Sequence, residues 1–153
     1  MNKTFTKEDL IRKHETNVKS ATSAFALAGV LGLIYIARFF ITKNFDFYFS
    51  LTASELILRL ADEGSMPDAF SYTVLADYIA VYFIVAVIAA KNPKRLSLAL
   101  GLYIIDTLCF IPLFVFHGNI RAECFIDVIV HLFVIIFLSV GIKSVKWLRK
   151  EKA

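Results

Sequence analysis

Hydrophobic residues are gathered into four long blocks along this chain instead of alternating regularly with polar ones. The blocks cover about residues 20–41, 69–90, 96–116 and 124–145. A helix of roughly 20 residues, rising about 1.5 Å per residue, can cross the hydrocarbon core of a bilayer. A soluble bundle would need a polar stripe along every helix, and residues 83–90 offer none. The pattern therefore predicts an all-α fold, an integral membrane four-helix bundle formed as one domain over residues 20–145.

The segment between the first two blocks, residues 44–67, predicts a short amphipathic helix on the outer face. The sequence Thr52-Ala-Ser-Glu55 has the form of an N-terminal capping box. Glu55 precedes Arg59 by four residues, and an acidic residue four positions before a basic one stabilises a helix. We expect a helix over residues 53–62 that lies flat on the membrane surface, either as simple packing or as a lid over a cavity.

Three further signals concern helix ends and close packing. Thr6-Lys-Glu-Asp9 has the form of a capping box for a short helix on the inner leaflet, within the polar residues 1–19, and the alternative is a frayed tail. Pro112 predicts a kink in the third span just beyond Asp106. Small residues recur at four-residue spacing in the first span, which predicts close approach of another helix, from this chain or from a second copy. These small residues are Ala24, Ala28 and Gly32.

The distribution of basic residues predicts the orientation. The chain carries 17 Lys and Arg residues and a net charge of +4. Thirteen of them lie in residues 1–19, in the loop at 91–95 and from residue 143 onward, against three in the other two loops. Such an excess marks the cytoplasmic side. We expect a multi-pass protein of a cell membrane, of the bacterial inner-membrane type, with both termini and the basic tail 146–153 in the cytoplasm. Topology and attraction to anionic lipid account for the charge, so nucleic acid is not an expected partner.

Ionisable residues inside the apolar blocks are the candidate functional residues. They are Arg38, Asp77, Asp106, Asp127 and His131. Counted along helices, all of them fall in the outer half of the membrane. A charged group in hydrocarbon costs several kcal/mol unless it is paired or hydrated, so it usually faces the bundle interior or a watery cavity. We therefore take these five residues as a candidate ligand- or ion-binding cluster.

Three hypotheses of function follow from this cluster. Three carboxylates against one arginine and one histidine favour transport, conduction or sensing of a small cation, a proton or an amine-bearing ligand. The alternative is a non-catalytic accessory or assembly subunit, in which Arg38 pairs with Asp127, and His131 with Asp77 or Asp106, only to hold helices together. The third hypothesis is a membrane-embedded enzyme with a divalent metal ion on Asp77, Asp106 and His131.

Other chemistry has little support in the sequence. It contains no HExxH metal motif, phosphate-binding loop or nucleophile elbow, so we assign no catalytic residue and favour a function other than catalysis. Cys109 and Cys124 are expected at different depths, which argues against a disulfide. The lipid bilayer is the expected environment. Because four spans enclose little space, permeation would require a homo-oligomer or a larger membrane partner.

Overall fold

The computed structural model describes residues 6–45, 51–117 and 122–151, and these residues are almost entirely helical. In chain order the helices are α1 (Lys7–Thr42), α2 (Thr52–Asp62), α3 (Asp68–Lys91), α4 (Leu96–Leu108), α5 (Phe110–His117) and α6 (Ala122–Glu151), with a 3₁₀ turn at Pro93–Arg95. Helices α1, α3, α6 and the α4–α5 pair are each long and apolar enough to cross a membrane. The prediction of an all-α four-helix membrane bundle with a short helix between its first two spans is confirmed.

The first helix begins earlier than the first apolar block. The Thr6 hydroxyl accepts a hydrogen bond from the Asp9 amide at 3.2 Å, and the Thr6 amide donates to the Asp9 carboxylate at 3.1 Å. This is the capping box that the sequence predicts. The helix it starts is not a separate surface helix, however, because α1 continues unbroken from Lys7 to Thr42.

The polar first part of α1 packs against the last part of α6, which explains why it stays helical. The His14 Nδ1 atom lies 3.0 Å from the Ser144 hydroxyl, and the Asn17 side chain donates to the same hydroxyl at 3.2 Å. The His14 ring also stacks on Trp147 with 4.2 Å between ring centroids. We call this end of the bundle, where α1 begins and α6 ends, the terminal end. The opposite end is the α2 end.

Small residues bring the helices of the bundle close together. A Cβ atom added to Gly141 of α6 would lie 2.4 Å from the Cβ of Ala21 on α1. A Cβ added to Gly32 of α1 would lie 2.7 Å from the Leu51 side chain, which immediately precedes α2. Gly32 therefore allows close packing within this chain. For this residue, the contact is with another segment of the same chain and not with a second copy.

The third span is broken where the sequence predicts a kink. Helix α4 ends at Leu108 and α5 begins at Phe110, with Cys109 between them. The Cys109 amide donates to the Asp106 carbonyl at 3.0 Å, which is the tighter bonding of a 3₁₀ turn. Pro112 has no amide hydrogen to donate to the Leu108 carbonyl, so the regular ladder stops here. The helix is thus interrupted just beyond Asp106, at the position where the sequence predicts a kink.

Helix α2 enters the bundle with its first turn. Leu51, Thr52 and Ser54 are at most 1% exposed, whereas Asp62 at the other end is exposed. Leu58 and Ala61 continue this buried face toward the other end of the helix, so α2 packs against the α2 end of the bundle along its length. The predicted capping box of α2 is wrong: the N-cap position is Leu51, which has no side-chain capping bond, and Thr52 is already helical.

Candidate functional site

The carboxylate of Asp106 forms the centre of a buried polar cluster. Asp106 is 0% exposed. Its Oδ1 atom accepts hydrogen bonds from the Ala53 amide at 2.9 Å and from the Tyr78 hydroxyl at 2.7 Å. Its Oδ2 atom accepts from the Thr52 amide at 3.3 Å and lies 2.9 Å from Nε2 of His131. We call these five residues, which come from α2, α3, α4 and α6, the Asp106 cluster.

Asp106 caps α2 from another helix. The first amides of any helix have no acceptor within the helix, and this end carries a partial positive charge. A side chain just before the helix usually accepts them. Here the acceptor is a carboxylate on α4, and it receives the amides of both Thr52 and Ala53. The Thr52 hydroxyl lies instead 3.1 Å from Nε2 of His131, which explains why the capping box of the sequence is not formed.

The contacts of His131 determine how many protons the site holds. Its Nδ1 atom lies 2.9 Å from the main-chain carbonyl of Asp127, which can only accept, so Nδ1 must carry a hydrogen. At Nε2, a distance of 2.9 Å to the Asp106 carboxylate requires one further proton between the two groups. That proton resides either on the imidazole or on the carboxyl group. The Asp106–His131 pair therefore shares one proton between Nε2 and the carboxylate, in addition to the hydrogen on Nδ1.

Aromatic rings enclose the pair. The Tyr103 ring stacks on the His131 ring with 5.0 Å between centroids, and the Phe110 ring meets it edge-on at 4.9 Å. Tyr103 lies before the break in the third span and Phe110 after it, so the break at Cys109 places rings on two sides of the imidazole. His131 is only 1% exposed as a result.

Several other titratable groups face the pair from the surrounding helices. Tyr78 and Tyr82 on α3, Tyr103 on α4 and Cys109 at the helix break interact electrostatically with Asp106. Asp127 on α6 interacts with His131 in the same way. A change of charge at the pair therefore alters the electrostatic environment of the hydrogen-bonded Tyr78 and of four other titratable groups. These four are Tyr82, Tyr103, Cys109 and Asp127.

The structure brings together some of the five predicted site residues and separates one of them. Asp106 and His131 form the buried pair, and Asp127 is buried one turn before His131 on α6. Arg38 is half-buried near the end of α1. Asp77 is exposed on α3 and has no hydrogen bond or ion pair among the described residues. As ligand-binding residues, these side chains remain predictions.

Tyr78 is a member of the cluster that the sequence interpretation missed, although a signal for it existed. The buried positions of α3 include Ser71, Leu75 and Tyr82, at spacings of four and seven residues. Residue 78 continues that helix face and residue 77 does not. The buried face of α3 therefore points Tyr78, and not its acidic neighbour, toward Asp106.

The arrangement offers little to a metal ion. Among the described residues, no three His, Cys, Asp or Glu side chains are grouped so that they could hold one. The predicted third ligand, Asp77, is exposed on α3 and does not group with Asp106 and His131. Both oxygens of Asp106 already have two hydrogen-bonding partners each. The cluster is suited to holding a proton and to fixing a helix.

Comparison of the chain with models of protein families, with curated proteins and with solved structures gives no match. The function of this multi-pass membrane protein is therefore inferred from its own residues.

Proposed function

We propose that this protein is a proton sensor of the membrane, in which the Asp106–His131 pair holds α2 in the bundle and releases it when the pair gains a second proton. One observation carries the proposal: the carboxylate that shares a proton with His131 is also the acceptor for the first amides of α2. Protonation and the position of α2 are thereby coupled through a single side chain.

The coupling follows from electrostatics in a medium of low dielectric constant. With the one shared proton, the pair is neutral overall, and a carboxylate can face the positive end of α2. A second proton leaves an imidazolium beside a neutral carboxyl group, so an uncompensated positive charge lies next to that helix end. Interactions between charges are several times stronger in such an interior than in water. The Thr52 and Ala53 amides then lose an anionic acceptor and gain a repelling neighbour.

Sensing is favoured over conduction by the packing on the other side of the cluster. Toward the terminal end the bundle is filled by buried apolar and aromatic side chains, among them Phe25, Leu96 and Leu138. Tyr82, which is 0% exposed, uses its hydroxyl to donate to the Phe25 carbonyl at 2.9 Å. A proton path would need polar groups or water at this depth.

The direction of sensing follows from the basic residues. Thirteen of the 17 Lys and Arg residues belong to residues 1–19, 91–95 and 143–153, so the positive-inside rule assigns these segments to the cytoplasm and the α2 end to the outside of the cell. In this orientation the termini are cytoplasmic, and the cluster responds to protons that arrive from outside.

A cysteine reporter on α2 tests the proposal. Ser54 is 0% exposed, and its hydroxyl has no partner among the described residues, so Ser54→Cys changes little. The reporter is placed in a chain whose own cysteines are replaced, and its rate of maleimide labelling in nanodiscs is divided by that of Asp62→Cys, an exposed position on the same helix. Acidification should raise this ratio by about tenfold or more, which corresponds to about 1.4 kcal/mol less protection.

Matched variants identify the group responsible. In Asp106→Asn and in His131→Gln the labelling ratio should no longer change with pH. His14→Gln removes a histidine at the terminal end and should leave the response intact. A ratio that does not change with pH in the unmodified cluster, or a response that survives in both cluster variants, would show that α2 is not controlled by this pair.

A non-catalytic accessory subunit is the second candidate function. The exposed carboxylate of Asp77 favours it, because such a group within a span calls for a partner in the membrane.

A further inference from the structure

Asp77 occupies a position at which a free carboxylate is costly. It lies next to Tyr78, whose hydroxyl reaches the buried Asp106 at 2.7 Å, so Asp77 is at the depth of the Asp106 cluster. It is nine residues from the start of α3, or about 13 Å at the rise of an α-helix. This places it within the hydrocarbon of a bilayer that is about 30 Å thick.

The face of α3 that carries Asp77 is directed away from the bundle. Asp77 is exposed, as are Ala76 and Ala80 beside it. Large apolar side chains surround this position, with Val81 exposed by 48% and Ile84 by 57%. This surface has the composition of a lipid-facing helix apart from the single carboxylate, which costs several kcal/mol there unless it is paired.

We propose that this face of α3, centred on Asp77, binds a transmembrane helix of another protein that carries a lysine or arginine at the same depth. Charge complementarity identifies the partner, since a basic side chain is the group that compensates a carboxylate in hydrocarbon. Ala76 and Ala80 lie four residues apart on either side of Asp77 and allow a helix backbone to approach closely.

A second copy of this chain fits less well. Within the apolar blocks the basic residues are Lys143, toward the terminal end of the bundle, and Arg38, four residues before the end of α1. It lies about 6 Å from that helix end, well short of the depth of Asp77. A symmetric contact between two α3 faces would bring two carboxylates together, and like charges at close range repel. The proposal goes beyond proton sensing and does not depend on it.

Designed single-span helices provide the probe. Each consists of leucine and alanine with one central lysine, or with leucine at that position, and is reconstituted with the full-length protein in bilayers. Association is measured by energy transfer between labels. We expect the lysine helix to bind about threefold to tenfold more tightly than the leucine helix, the range that interhelical polar contacts give in membranes. Asp77→Asn should abolish the difference, whereas Asp62→Asn, the same change of charge outside the spans, should preserve it.

Two outcomes would overturn the proposal. Equal binding of the two helices, or a preference for lysine that persists in Asp77→Asn, would show that the carboxylate does not select a partner. A chain with Ala80→Cys as its single cysteine provides the second measurement. Efficient disulfide cross-linking of this variant to itself in bilayers, retained or increased in Asp77→Asn, would assign the face to a second copy instead.

Discussion

Asp106 is more than a residue that pairs two helices, because each oxygen of its carboxylate has two partners and these come from three other helices. The contacts with the Thr52 and Ala53 amides are main-chain contacts, so no substitution at those positions except proline removes them. The remaining two contacts use the side chains of Tyr78 and His131. These two residues are therefore the positions at which the cluster can be weakened selectively.

Removal of the Tyr78 hydroxyl tests the strength of the cluster. A hydrogen bond to a charged group contributes about 1.5–3 kcal/mol, so Tyr78→Phe should lower the free energy of unfolding by this amount. Tyr72→Phe is the matched control, because Tyr72 lies on the same helix, is half-buried and has no hydrogen bond among the described residues. Denaturant unfolding in detergent measures both. Equal effects of the two changes would mean that the Tyr78 bond contributes nothing.

At the scale of elements, the sequence predicts what depends on local patterns and misses what depends on contacts between helices. The four spans, the capping box at Thr6 and the break near Pro112 are all local features, and each is present. The capping of α2 is not local, because the box at Thr52–Glu55 competes with a carboxylate 53 residues away. The sequence also predicts that Asp77 faces the interior of the bundle. In the structure Asp77 is exposed, and its neighbour Tyr78 reaches Asp106 instead.

The close approach of Gly141 on α6 to Ala21 on α1 provides a test at this scale. Gly141→Ala would place a Cβ 2.4 Å from Ala21, so α1 and α6 would have to separate. Overpacking of this kind typically costs about 1–3 kcal/mol of stability. Gly101→Ala is the control, since a Cβ at Gly101 of α4 meets nothing within 4 Å. That change should be neutral or stabilising by up to about 1 kcal/mol. Thermal unfolding of both variants distinguishes a packed helix pair from a loose one.

At the scale of the whole molecule, the two ends of the bundle differ in chemistry. The terminal end joins α1 and α6 through polar side chains, and Lys7 forms an ion pair of 3.0 Å with Glu151. The α2 end contains the inserted helix and the Asp106 cluster. The ion pair shows that the two helices that carry the termini end on the same side of the bundle, as an even number of crossings requires. The side of the membrane on which they end is predicted from the distribution of basic residues.

Reporter fusions determine the orientation. A reporter active only in the cytoplasm should be active when fused after Ala153, and one active only outside when inserted at Gly64. Gly64 suits an insertion because it lies in the exposed turn between α2 and α3, has a positive φ of 70°, and a Cβ added there would meet nothing within 4 Å. Because basic residues near span ends resist translocation, the excess at the terminal end favours this arrangement. The reverse activities would mean that the α2 end faces the cytoplasm. The Asp106 cluster would then respond to protons from the cytoplasm.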